Sequence, residues 1–149
     1  MQPTIRPARA DDHDTIARVW MTSWVSTGLA DVSDSLQAQL RARLSLEIEK
    51  GWSLYVADDG GVVAAMLALH IPDCYLDQLF VAPEYQGQGL GRQLLAFTRA
   101  RLPDEIWLRC VRENEKAWRW YEREGFVFER EAFEPGIAFM MKYYRWRKP

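Results

Sequence analysis

With 149 residues, 48% of them hydrophobic and 27% charged, the chain has the size and balance of one globular domain, taken as residues 1–149. A net charge of −2, from 19 basic and 21 acidic residues, gives no global electrostatic reason to bind nucleic acid, and no apolar run approaches the ~18–20 residues that cross a membrane. The opening "MQPTIRPARADDHD" lacks the apolar core of a signal peptide, and Cys74 and Cys110 form no C-x-x-C pair, so a cytoplasmic protein without disulfide framework or metal is expected.

The elements follow in order. "PTIRPA" reads as a short strand with Ile5 inward. "ADDHDTIARVWMTSW" reads as a helix capped by Asp11 or Asp12, with Ile16, Val19, Trp20 and Trp24 at helical spacing. "VSTGLADVSD" is a loop. A second helix places Leu36, Leu40, Leu44 and Ile48 on one stripe, with Ser33 or Ser35 as cap and Gly51 as terminator. Strands 52–57 and 62–70 flank the hairpin signal "DDGG", and "IPDC" turns into a third strand, 75–82, that Pro83 stops. A helix to about Arg101, a strand over 105–111 and a helix over 114–124 come next. A hairpin, "GFVFEREAF" and "IAFMMKYYRW" across "EPG", ends the chain. The order β-α-α-β-β-β-α-β-α-β-β implies an α+β fold: a mixed, mostly antiparallel sheet flanked by helices, with strands 75–82 and 105–111 paired in parallel by a βαβ crossover.

Three glycines crowd into "EYQGQGLGRQLL", directly before a helix. No Lys follows them, which sets aside a Walker A loop. The dinucleotide fingerprint G-x-G-x-x-G starts at Gly87 but meets Arg92 where its third glycine belongs. Q-x-x-G-x-G is matched in full by Gln86, Gly89 and Gly91. Unpaired amides at a helix N-terminus carry partial positive charge, and glycines remove side chains that would hold an anion away. A pyrophosphate cradle, with Arg92 adding charge, competes here with a plain Gly-rich turn.

A second block decides between them. "YLDQLFVAPEYQGQGLGRQLL" together with "NEKAWRWYEREGF" resembles the GNAT superfamily of acyl-CoA-dependent N-acyltransferases. The later block matches N-x-x-A-x-x-x-Y-E-x-x-G-F through Asn114, Ala117, Tyr121, Glu122, Gly125 and Phe126. The resemblance is specific over roughly residues 75–95 and 105–128 and covers the element order over nearly the whole chain. Many family members have Gly where this chain has Ala64 or Ala65, which implies a tighter acceptor side.

The resemblance implies acetyl-CoA as co-substrate and direct transfer of an acetyl group to a primary amine. It implies pyrophosphate on residues 86–92 (Gln86, Gly87, Gln88, Gly89, Leu90, Gly91, Arg92) and pantetheine along Leu79, Phe80 and Val81. Seven residues apart on a helix, Asn114 and Tyr121 fall within about 20° of each other, with the small Ala117 between. By resemblance Asn114 binds pantetheine and Tyr121 is the general acid for the departing thiolate. The general base is open among Asp77, Asp73, His70 and Glu84; Asp77 is favoured because strict alternation puts it on one strand face with Leu79. A small-molecule or peptide amine is expected as acceptor, against helices 11–25 and 35–50 and an apolar wall of Trp20, Trp24 and Phe133. Nucleic acid, membrane and metal are not expected, and the protein is read as monomer or homodimer. A non-catalytic acyl-CoA sensor is the alternative to an enzyme.

Overall fold

The computed structural model describes residues 3–149. Seven strands form one sheet in the order β1-β2-β3-β4-β5-β7-β6. They are β1 (Thr4–Pro7), β2 (Ser53–Asp59), β3 (Val62–His70), β4 (Tyr75–Val81), β5 (Glu105–Val111), β6 (Val127–Glu134) and β7 (Phe139–Arg147). The four helices are α1 (His13–Ser26), α2 (Asp34–Glu49), α3 (Leu90–Arg101) and α4 (Glu115–Arg123). Every neighbouring pair is antiparallel except β4 and β5, the parallel pair the crossover demands. No helix of the described residues is long and apolar enough to cross a membrane.

The sheet divides the core in two. α1 and α2 lay Ile16, Trp20, Leu40 and Leu44 on one face, against Trp52, Val56 and Met66. α3 and α4 lay Leu90, Leu94, Leu95 and Tyr121 on the other, against Leu67, Leu69, Ile106 and Leu108. β3, covered on both faces, is buried from Val63 to Leu69, as its unbroken apolar run requires. Ala64 and Ala65 are fully buried within it, so their methyls fill the core and do not narrow the acceptor side.

Local chemistry accounts for most boundaries. Ser33 accepts the Leu36 N–H at 2.9 Å and caps α2, and Gly51, with φ 113°, follows its last turn. Gly60 and Gly61, both at positive φ, close the β2–β3 hairpin. The expected cap of the first helix is different. Residues Ala10–Asp12 form a separate 3-10 turn, and neither Asp11 nor Asp12 caps α1 by its side chain. Asp12 turns back instead. It accepts the Arg9 N–H at 2.7 Å and both terminal nitrogens of Arg6 at 2.8 and 3.1 Å. Arg6 also donates from Nε to Asp58 at 2.9 Å, so one guanidinium ties β1 to β2 and to the start of α1.

The hydrogen bonds from Arg6 hold the Asp12 carboxyl well below the usual range, at about 2. A folded-state value below the unfolded one stabilises the native state once pH exceeds the unfolded value, and that stabilisation is lost as pH falls toward about 2. Asp12→Asn should therefore cost about 2 kcal/mol at pH 7 in urea unfolding, with the gap to the parent protein shrinking below about pH 4. A gap independent of pH would exclude this ion pair as its source.

Candidate active site

β4 and β5 share a single ladder position, Tyr75 opposite Trp107. Beyond it the strands part. The register of β4 against β3 shifts between Ala68 and Leu69, leaving Asp77 as the extra residue between Leu76 and Gln78. A bulge of this kind bends a strand, and here it swings β4 away from β5. The opening continues into a cleft of about 1230 Å³ lined by β4, β5, the N-terminal ends of α3 and α4, and the inner sides of α1 and α2.

Most of the residues picked out in the sequence meet in this cleft. Asp77, Leu79, Phe80, Val81, Gln86, Gly87, Gly89, Leu90, Gly91, Arg92, Asn114, Ala117 and Tyr121 all line it. Gln88 does not; its side chain donates to the Glu84 carbonyl at 3.3 Å. Gln86 donates to the Val81 carbonyl at 3.0 Å, and the Tyr85 hydroxyl to Asp59 at 2.6 Å. These side chains brace the loop from behind and leave its backbone amides at the mouth of the cleft. Val81 is further held by Ser23, whose hydroxyl donates to its carbonyl at 3.1 Å.

The glycines divide their work. Gly87 and Gly89 adopt left-handed φ of 78° and 84°, with open space where a Cβ would stand. Gly89 is the N-cap of α3, and the first backbone bond into that helix runs from Gln93 N–H to its carbonyl. The amides of Leu90, Gly91 and Arg92 precede that bond and have no intrahelical partner. Gly91 has a different reason to be glycine: a Cβ there would come within 3.2 Å of the Trp120 ring. Its bare backbone lets α3 and α4 approach closely. Arg92 pairs with Glu124 at 3.1 Å and Arg99 donates to the Glu124 carbonyl at 2.6 Å, fastening the same two helices.

Asn114 occupies the N-cap position of α4 but makes no side-chain capping bond, so its amide is available to the cleft. Tyr121 is buried and packed edge-on to Trp120 and Phe126 at 4.9 and 5.4 Å. Burial, with a smaller contribution from Cys110, pushes its phenol well above the ordinary value. Cys110 also lines the cleft, and burial raises its thiol to about 12, so it stays protonated and unreactive.

The bulge changes the geometry expected of Asp77. It breaks the alternation, so Asp77 and Leu79 do not share a face. Leu79 packs with the α3–α4 core, whereas Asp77 accepts the Trp52 indole N–H at 2.8 Å, from the α1–α2 core, and the Gln78 amide at 3.1 Å. Of the other candidate bases, none lines the cleft. His70 and Asp73 pair with each other at 2.7 Å at the far end of β3, and Glu84 sits on the exposed turn after β4. On the acceptor side Trp20 and Trp24 line the cleft as expected, but Phe133 is 58% exposed outside it. Phe139, edge-on to Trp24 at 6.2 Å, takes its place. Arg43, Tyr75 and Arg109 also reach the cleft and carried no motif in the sequence.

A model described as the acetyltransferase (GNAT) family matches residues 15–126. The chain belongs to this family. That match agrees with the two motif blocks its cleft brings together. Over 73 residues it is 34% identical to a spermine/spermidine N(1)-acetyltransferase of Bacillus subtilis, a match that covers 46% of this chain and 48% of the relative. The match thus spans about half the length of that curated relative. A PaiA N-acetyltransferase from Thermoplasma acidophilum, solved in complex with coenzyme A, superposes with TM-score 0.78 at 21% identity over 99% of both chains. The apo solution structure of YjaB from Escherichia coli does so with TM-score 0.76 at 21% identity over 100% of both. At such identities these neighbours share the fold.

The GNAT cleft rests on the close contact at Gly91. Gly91→Val should cost about 1–3 kcal/mol through overpacking against Trp120. It should also move the Trp120 fluorescence spectrum, whereas Gly87→Ala should cost only backbone strain and leave the spectrum in place. Equal spectra for the two variants would contradict the packing role.

Proposed function

We propose that the chain is an acetyl-CoA-dependent N-acetyltransferase that acetylates a small primary amine directly, with Tyr121 as general acid and Asp77 as general base. The observation that carries the reading is the parted β4–β5 pair, which joins three unpaired helix amides to a buried phenol through one cleft.

The residues present fit the donor. The amides of Leu90, Gly91 and Arg92, with the loop amides at Gly87 and Gly89, are donors for a pyrophosphate. The β5-facing edge of β4 over Leu79, Phe80 and Val81 offers main-chain groups to pantetheine amides, as a sheet edge does to an added strand. The Asn114 amide faces the same channel. When bound, acetyl-CoA supplies a thioester carbonyl as acyl donor.

The chain's own groups then handle the protons. Asp77, oriented by Trp52 and Gln78, accepts the proton the acceptor nitrogen gives up, directly or through water. The nitrogen bonds to the carbonyl carbon as the carbon–sulfur bond breaks. Tyr121, kept protonated by burial at any working pH, delivers its proton to the departing sulfur. The acceptor nitrogen attacks the thioester itself, so no covalent enzyme intermediate is needed.

Tyr121→Phe should lower kcat by about 100-fold while changing the CoA dissociation constant by less than about threefold, measured by thiol release and calorimetry. An unchanged kcat would remove Tyr121 as the acid. Binding of ATP or NAD but not CoA would remove the donor assignment, and tight CoA binding without turnover of any amine would favour a sensor.

A further inference from the structure

Two aromatic pairs span the parted strands. At the closed end Tyr75 of β4 stacks on Trp107 of β5, with ring centres 3.9 Å apart. At the open end Ser23 fastens α1 to the Val81 carbonyl of β4, and the neighbouring Trp24 meets Phe139 of β7 edge-on at 6.2 Å. β7 is the far neighbour of β5, with Met141 opposite Val111, so this second pair reaches from one side of the parting to the other. Tyr75, Trp24 and Phe139 are each half-buried and line the cleft, so they keep ring surface for a ligand. Asp77 lies on β4 between the two pairs. Trp52 and Gln78 take one site on each of its oxygens, and a carboxylate offers about four.

The charges of this half are few. Among the described residues, Asp77 is the only carboxylate that α1, α2, β4 and β7 bring to the cleft, and Arg43 on α2 is the only cation. Arg109 of β5 is already paired with Glu134 at 3.1 Å. An acceptor whose amine meets Asp77 is sorted by what else it carries. A second ammonium finds no second carboxylate and shares the space with Arg43, which disfavours a polyamine. An α-carboxylate stands one carbon from the amine, beside Asp77, and is repelled by it, which disfavours an amino acid. An uncharged aromatic ring meets the rings of the wall in the offset and edge-on geometries that such pairs prefer.

We infer that the acceptor is an arylalkyl monoamine: its amine meets Asp77, and its ring lies between Tyr75 and the Trp24–Phe139 pair. The inference rests on the acetyltransferase reading above and names its acceptor class.

The test compares phenethylamine, n-butylamine, spermidine and L-phenylalanine as acceptors at saturating acetyl-CoA, with CoA binding measured separately. Phenethylamine should exceed each of the others in kcat/KM by about tenfold or more, the scale of burying one aromatic ring. In Trp24→Ala the ratio of phenethylamine to n-butylamine should fall toward one, through KM rather than kcat. Phe139→Leu, which keeps an apolar side chain, should lower the same ratio. Equal or better use of any of the other three amines by the parent protein overturns the inference, as does a ratio that a folded variant leaves unchanged. CoA binding with turnover of other amines but not of phenethylamine overturns the inference alone. CoA binding without turnover of any amine, or no CoA binding, overturns the acetyltransferase reading with it.

Discussion

The separation of β4 from β5 is the constraint on which the rest of the structure depends. A parallel pair would normally continue its hydrogen bonds along both strands. Here one position is bridged and the bulge at Asp77 carries β4 away. Main-chain groups that would have faced a neighbouring strand face a cleft instead. The crossover then brings α3 back with its N-terminus at the mouth of that cleft, because a right-handed βαβ unit has no other way to return. One irregularity in the sheet thus sets an open strand edge beside an open helix end.

The two halves of the cleft are built by different means. On the donor side, helices are pressed together until backbone is exposed: Gly91 against Trp120, with Arg92 and Arg99 both fastened to Glu124. Tyr121 is set into the same packing and receives its high affinity for a proton from burial. On the acceptor side, α1 and α2 contribute broad aromatic surface and a few charges, held by Trp20 on Trp52 and Trp24 on Phe139. The donor side is main-chain in character. The acceptor side is made of side chains, which is where related enzymes on one fold can differ in specificity.

Elements with strong local signals were legible in the sequence. β3 and β5 fall at residues 62–70 and 105–111 as expected, because both are apolar runs bounded by turn residues. The parallel pair followed from chain order, and the cleft residues from two motif blocks. What was missed has no local signature. A bulge adds one residue without changing composition, so the alternation that placed Asp77 with Leu79 fails there. In the final hairpin β6 is an edge strand exposed along most of its length, so its apolar residues do not mark an inner face, and Phe139 of β7 lines the cleft where Phe133 is expected. Gly91 sits in a phosphate-loop pattern but is required by a ring 29 positions later in the chain. Arg43 lies beside the apolar stripe of α2, in a position that reads as solvent-facing until α1 is placed against it.

Under the proposed function, bare amides at the N-terminus of α3 and along β4 hold an acyl-CoA donor. Titration of the 15N-labelled protein with CoA, followed by amide chemical shifts, tests it most directly. The largest shifts should fall at Gly87, Gly89, Leu90, Gly91 and Arg92, with a second set at Leu79, Phe80 and Val81. CoA binding that leaves both sets unmoved while amides elsewhere respond would contradict it.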